Sequence, residues 1–157
     1  MTPAIDLLKK QKIKFNIHHY EHDANSESFG LEAAEKLSVA AERVFKTLVV
    51  NVDNKSLVVC ILPVSHMLSM KHAAKACSGK KAQMADKQAV LRSTGYVLGG
   101  VSPLGQKKRL QTVLDSSALN FQTIYVSAGK RGMDLELDPK DLITLLNAKH
   151  ASLCQEE

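Results

Sequence analysis

Val44-Phe45-Lys46-Thr47-Leu48-Val49-Val50-Asn51-Val52-Asp53-Asn54-Lys55-Ser56-Leu57-Val58-Val59-Cys60-Ile61-Leu62 reads as two apolar, β-branched runs around a polar turn. Such runs bounded by Asp, Asn and Lys form strands, and a short connection makes them antiparallel neighbours. The expected hairpin joins Val44–Val52 to Leu57–Leu62 through Asp53-Asn54-Lys55. Within it, period-two alternation puts Val44, Lys46 and Leu48 on one face, so Lys46 stands on a partly buried surface. Lysine rarely stays there unless it is paired or functional. The competing reading is an edge-strand lysine that deters aggregation.

Toward the N-terminus, Thr2-Pro3 opens a helix with a capping side chain and proline at its first position. Ile5, Leu7 and Leu8 give that helix an apolar side as far as about Gln11. A first strand follows at Phe15–Tyr20, then an exposed polar loop at Glu21–Ser28 and a short helix at Glu32–Leu37. Toward the C-terminus, Ser69 caps a helix running to Ala76, Lys81–Met84 is a short strand, and Asp86 begins another helix. Leu110–Leu114, Gln122–Val126 and Met133–Leu137 read as strands, with a helical turn at Ser116–Leu119. Asp138-Pro139 opens the last helix, with Leu142, Ile143, Leu145 and Leu146 inward, and the tail from Ala151 is expected to fray. The expected fold class is α+β, with about seven strands in one mixed, partly closed sheet or barrel surrounded by short helices. Residues 1–150 form one domain and 151–157 a tail.

Two glycine clusters interrupt this pattern. Gly95-Tyr96-Val97-Leu98-Gly99-Gly100-Val101-Ser102-Pro103-Leu104-Gly105 holds four of the eight glycines, and Ser127-Ala128-Gly129-Lys130-Arg131-Gly132 holds two more. Glycine inside an ordered domain marks positive φ or close approach to the main chain. Lys107, Lys108 and Arg109 follow the first cluster, and Lys130 and Arg131 lie inside the second. Backbone N–H groups beside cations suit a phosphate or a polarised carbonyl oxygen. Two tight turns with solvated lysines are the plain alternative.

Composition narrows the classes. A chain of 157 residues, 45% hydrophobic and 24% charged, buries a core and is not disordered. Its net charge of +5 leans toward polyanionic partners. No apolar run approaches the length that spans a bilayer, so no membrane partner is expected. Cys60, Cys77 and Cys154 are odd in number and widely spaced, as in reduced thiols of a cytoplasmic protein.

Several chemistries fit poorly. Gly100 and Gly105 have P-loop separation, but Gln106 replaces the lysine, and no GxGxxG pattern occurs. His18, His22 and Asp23 lack a fixed ligand geometry, so no metal and no cofactor is expected. Cys60 sits in an apolar strand, where cysteine is a small core residue.

Phe45-Lys46-Thr47-Leu48, Lys71-His72-Ala73-Ala74-Lys75, Ser93-Thr94-Gly95-Tyr96, Gly99 through Gly105 and Val126 through Gly132 together resemble the YbaK/EbsC family. This family belongs to the superfamily of the editing domain inserted in bacterial prolyl-tRNA synthetase. The likeness runs over roughly residues 2–147 and lies nearest to the Cys-tRNA(Pro) deacylases that act in trans. It implies removal of cysteine wrongly attached to tRNA(Pro), an error that a small apolar pocket cannot fully reject. It also implies aminoacyl-tRNA as partner, with prolyl-tRNA synthetase as a second partner; oligomeric state stays open.

The resemblance maps the superfamily's lysine onto Lys46 and its GxxxP loop onto Gly99, Gly100, Val101, Ser102 and Pro103. Further site positions map onto Tyr20, Phe29, Thr47, Ser127 and Asp134. Lys46 would hold the phosphate of the terminal adenosine, and the N–H groups of Gly99, Gly100 and Val101 the charge on the ester oxygen. Ser127 and Asp134 would fix the amino acid or the ribose hydroxyls, while Tyr20 and Phe29 wall the pocket or stack on adenine. No protein nucleophile is evident, which fits the family's route: the substrate thiol attacks its own carbonyl and releases a thiolactone. Water attack competes with that route. Two other readings stay open: a non-catalytic module binding aminoacyl-tRNA or protein, and an editing deacylase for another amino acid, such as Ala-tRNA(Pro).

Overall fold

The computed structural model describes residues 1–26 and 29–156. Glu27 and Ser28, the end of the expected polar loop, lie outside the described residues. Helix α1 spans Pro3–Lys10, and Thr2 caps it by accepting from the Ile5 N–H. Strand β1 follows at Phe15–His19, and α2 spans Phe29–Lys36. A 3₁₀ turn at Ala41–Arg43 leads into β2, Phe45–Val52, which pairs antiparallel with β3, Ser56–Pro63. Asp53 and Asn54 both take positive φ in the connecting turn, a conformation that Asx side chains tolerate.

The second half alternates short helices and strands. Helix α3, Met70–Ala76, is capped by Ser69, and α4, Lys87–Thr94, by Asp86; β4, Ala82–Met84, lies between them. Strands β5, Gln111–Asp115, β6, Ile124–Lys130, and β7, Met133–Leu137, precede α5, Pro139–Leu146. Strand β8, Lys149–Ala151, ends the series.

The strands form two sheets, not one. A three-stranded sheet has the order β1-β7-β6, and a five-stranded sheet the order β4-β2-β3-β5-β8. The pairs β3–β5 and β5–β8 are parallel and the rest antiparallel, so the larger sheet is mixed. Among the described residues one bridge, Val44 to Tyr125, stitches the sheets at a corner. The α+β class holds, and the expected partly closed sheet or barrel of about seven strands is, among the described residues, eight strands in two sheets with no closed barrel. The main core fills the space between them: Leu8, Ile61, Leu114, Ile124 and Leu135 are all fully buried there. A second core, built on Val50, Cys60 and Leu62, lies beneath α3 on the other face of the larger sheet.

The expectation of a frayed tail fails. Ala151 belongs to β8, and Leu153 is fully buried, its N–H donating to the Asp115 carboxylate at 2.8 Å. Leu68 and Cys154 form a further bridge. An apolar side chain two residues past the strand finds the second core, and its burial outweighs the entropy of ordering the segment.

Candidate active site

Where β2 passes the corner at Val44, the two sheets diverge and leave a cleft of about 300 Å³. Lys46 and Thr47 reach it from the start of β2, Ser127 from β6, Asp134 from β7, Tyr20 from the end of β1 and Phe29 from the start of α2. Gly99 and Val101 complete the wall from the loop after α4. Eight of the eleven residues singled out in the sequence thus share one cavity, though they come from six separate segments.

Three do not reach it. The Gly100 N–H donates to the Val97 carbonyl at 3.0 Å, closing a turn, and a Cβ at Gly100 would stand 3.2 Å from the Lys130 Cα. Gly100 is a packing glycine, not an oxyanion donor. Ser102 is fully buried and its hydroxyl accepts from the Leu104 N–H at 3.2 Å. Pro103 is buried too and faces a groove on another side of the loop. The N–H groups of Leu98, Gly99 and Val101, all on the cleft wall, have no acceptor among the described residues; Gly99 and Val101 are the two that belong to the loop positions named from the sequence. Gly99 takes φ +89°, the left-handed region that glycine enters without steric cost.

The electrostatics of the cleft are unusual. Asp134 is 6% exposed and meets neither cation nor hydrogen-bond donor among the described residues, and burial pushes its carboxyl up to about 7. Burial, and then the Asp134 charge, raise the Tyr20 hydroxyl above its ordinary range. Burial draws the half-buried Lys46 ammonium below the usual lysine range, opposed by the Cys154 sulfur nearby. Lys46 makes no ion pair among the described residues. The Thr47 hydroxyl is buried in the cleft wall with no partner among the described residues. An unmet buried polar group costs about 1–3 kcal/mol, which a ligand that hydrogen-bonds to it recovers.

Ser127 and Asp134 are cross-strand partners, so their side chains share a face. A bulge follows immediately: register shifts between Ser127 and Lys130, and the Gly129 N–H donates to the Ser127 hydroxyl at 3.1 Å. The bulge aims the β6–β7 turn at the cleft mouth. Arg131, one of the two cations inside the second glycine cluster, stacks there on Phe29 and donates to the Leu98 carbonyl at 3.2 Å. Its signal was present as a cation inside the second glycine cluster, but nothing local says where the turn points.

The base of α2 is fixed by Glu32. Its buried carboxylate meets the His22 ring at 2.6 Å, the Asp23 N–H at 2.8 Å and the Lys36 ammonium at 3.4 Å. Burial opposes that charge, but these three contacts outweigh it and hold Glu32 below the usual carboxylate range. His22 also packs against Phe29, with ring centroids 5.7 Å apart.

None of the three thiols is activated. Burial pushes Cys60 up to about 12 and Cys154 up to about 11, and raises Cys77 as well. No cysteine or histidine stands among the described residues of the cleft wall. Among the described residues no three His, Cys, Asp or Glu side chains gather to hold a metal ion, and no helix is long and apolar enough to cross a membrane.

The profile of the aminoacyl-tRNA editing domain matches residues 28–145. EbsC of Enterococcus faecalis (strain ATCC 700802 / V583), which carries the provisional name Cys-tRNA(Pro)/Cys-tRNA(Cys) deacylase, is 35% identical over 157 residues, 99% of this chain and 94% of its own. The uncharacterised YwhH of Bacillus subtilis (strain 168) is 31% identical over 111 residues, 71% of this chain and 70% of its own. A solved protein provisionally described as a trans-editing enzyme for prolyl tRNA synthetase superposes with a TM-score of 0.81 at 23% identity, covering 98% of this chain and 93% of its own. The hypothetical protein APE2540 superposes with a TM-score of 0.86 at 21% identity, covering 98% and 99%. At those identities the structural likeness is one of fold. The family profile and the EbsC identity, together covering nearly the whole chain, place it in the YbaK/EbsC group of the aminoacyl-tRNA editing domain family.

Proposed function

We propose that this chain is a trans-acting deacylase that frees cysteine from Cys-tRNA(Pro). The supporting observation is the convergence, in one cleft, of a lysine without an ion pair, a buried carboxyl near neutrality and two backbone N–H groups without acceptors. Lys46 holds the phosphate of the terminal adenosine. The N–H groups of Gly99 and Val101 bind the ester oxygen and stabilise the charge that develops on it. Phe29 and Tyr20 wall the adenosine, and the Thr47 and Ser127 hydroxyls bind ribose or amino acid. The name carried by EbsC supports the substrate.

Asp134 is the proton acceptor, because a base titrating near the working pH combines availability with driving force. It takes the proton of the cysteinyl thiol; the thiolate attacks the ester carbonyl, forming a C–S bond. The C–O bond to the ribose breaks as the proton passes from Asp134 to the departing 3′ oxygen. The products are free tRNA and a cysteine thiolactone, which water opens. Prolyl-tRNA synthetase acts as the second partner, supplying the identity of the tRNA.

The test is a deacylation panel of Cys-, Ser-, Ala- and Pro-tRNA(Pro), with and without the synthetase. The expected order is cysteine far above serine, with alanine lowest. A thiol ionises near pH 8.5 and supplies some thiolate at neutrality, whereas a hydroxyl supplies almost none. Equal rates for cysteine and serine would show that water is the nucleophile. Protection of every ester would show a binding module and overturn the assignment.

A further inference from the structure

A groove of about 600 Å³ lies between α1, α5 and the segment after the glycine loop. Lys107, Lys108 and Arg109 line it, and no carboxylate does among the described residues. All three cations are exposed, and none makes an ion pair among the described residues. Three adjacent cations repel one another, so an arrangement without carboxylates favours an anionic occupant over none. Their backbone is fixed: the N–H groups of Lys107 and Lys108 donate to the carbonyls of Thr94 and Ser93, at 3.1 and 2.9 Å.

The groove is within reach of the cleft. The Lys107 stem lies across Gly95, where a Cβ would stand 3.1 Å from its Cγ. Leu98, three residues further along the same loop, rims the cleft. Three residues span at most about 11 Å, so Lys107 and the cleft mouth are neighbours on one surface. A strand of a duplex carries a phosphate roughly every 3.4 Å of helix axis. A strand that leaves a terminal adenosine in the cleft over Leu98 brings the phosphates on its 5′ side near the three cations.

We propose that Lys107, Lys108 and Arg109 form a second binding site, for the sugar-phosphate backbone of the tRNA acceptor arm. The inference rests on the editing function proposed above and adds the surface that holds the body of the substrate. Contacts of this kind fix register and orientation and carry no sequence information. The site raises affinity for any tRNA and leaves the choice of tRNA to another partner.

The experiment measures binding of 5′-fluorescein-labelled, uncharged tRNA(Pro) transcript at several salt concentrations. The wild type is compared with the variant Lys107→Gln/Lys108→Gln/Arg109→Gln. A control, Lys71→Gln/Lys75→Gln/Lys80→Gln, removes the same charge from exposed residues of α3 and the turn after it. The groove variant should bind at least tenfold more weakly at low salt. Its log K against log salt slope should fall by about two to three, since each lost phosphate contact removes 0.7–0.9. The control should change much less. Unchanged affinity and slope in the groove variant would overturn the proposal and leave an acidic protein segment as the occupant. Equal losses in both variants would overturn it too, since net charge alone would then explain them. Binding is read without turnover, so the outcome is separate from whether any ester is cleaved.

Discussion

The guanidinium of Arg131 lies 3.8 Å from the centre of the Phe29 ring while it donates to the Leu98 carbonyl. One side chain thus ties the β6–β7 turn, α2 and the glycine loop together at the cleft mouth. The packing is close: a Cβ at Gly99 would stand 2.6 Å from the Arg131 Nη2 and 2.8 Å from the Phe29 Cε2. Arg131→Ala should raise KM and lower kcat together, for a combined loss of about tenfold in kcat/KM. An exposed cation–π contact is worth about 0.5–1 kcal/mol and a hydrogen bond about 1 kcal/mol, and 1.4 kcal/mol is tenfold. Arg131→Lys keeps the charge without the planar stack and should recover only part. Steady-state kinetics that leave both variants at wild-type values would remove Arg131 from the site.

Lys46→Ala should lower deacylation by about 10- to 150-fold, the worth of a hydrogen bond to a charged group at about 1.5–3 kcal/mol. The fold should hold, because the variant removes a half-buried ammonium that makes no ion pair among the described residues. Thermal melts and single-turnover rates on Cys-tRNA(Pro) measure the two effects separately. Near-normal rates in a folded variant would refute the role given to this lysine.

Asp134 links activity and stability through pH. Its carboxyl titrates near 7 in the folded chain and near 3.9 in the unfolded one, so the folded state binds the extra proton between these values. The stability it contributes is therefore full below about pH 4 and declines as pH rises toward 7. Asp134→Asn removes that decline. The variant should match wild type near pH 4 and exceed it at pH 7 by up to ~4 kcal/mol, from about three units at 1.36 kcal/mol each. Its deacylation should be lost, and wild-type activity should rise with pH through about 7. Urea unfolding at both pH values, with a pH–rate profile, checks the prediction; a destabilised Asp134→Asn at pH 7 counts against it.

Cys60, Cys77 and Cys154 should each be replaceable by alanine with turnover within about twofold of wild type, since burial holds every thiol protonated. Cys60→Ala should cost about 1 kcal/mol of stability, because that side chain is fully buried in the second core. Loss of activity in a folded single variant would bring back a protein nucleophile.

Local signals in the sequence were reliable where local physics decides the structure. Thr2, Ser69, Asp86 and Asp138 all cap the helices expected of them, and the hairpin β2–β3 forms on its expected turn. Strand β8 was missed because Lys149 and His150 are exposed, and its place comes from parallel pairing with β5. The extension of β6 through Gly129 was missed because the bulge there hides the alternation. At the cleft, residue types point to a loop that lines it but not to the direction of each N–H. Gly100 looks like Gly99 in sequence, yet only the fold turns its N–H toward Val97. The elevated carboxyl of Asp134 follows from tertiary burial, which a period-two pattern does not quantify.

The pairing of β1 with β7 sets His18 beside Asp134 and brings the first strand of the chain against one of the last. Tyr20 and Asp134 therefore become neighbours only after a loop of more than a hundred residues has closed, a contact of the kind that forms late and slowly. A partly folded copy, even one with the β2–β3 hairpin and Lys46 in place, lacks the wall that carries the carboxyl. On the function proposed above, such a copy would not act on esters, because the cleft is complete only when the fold is.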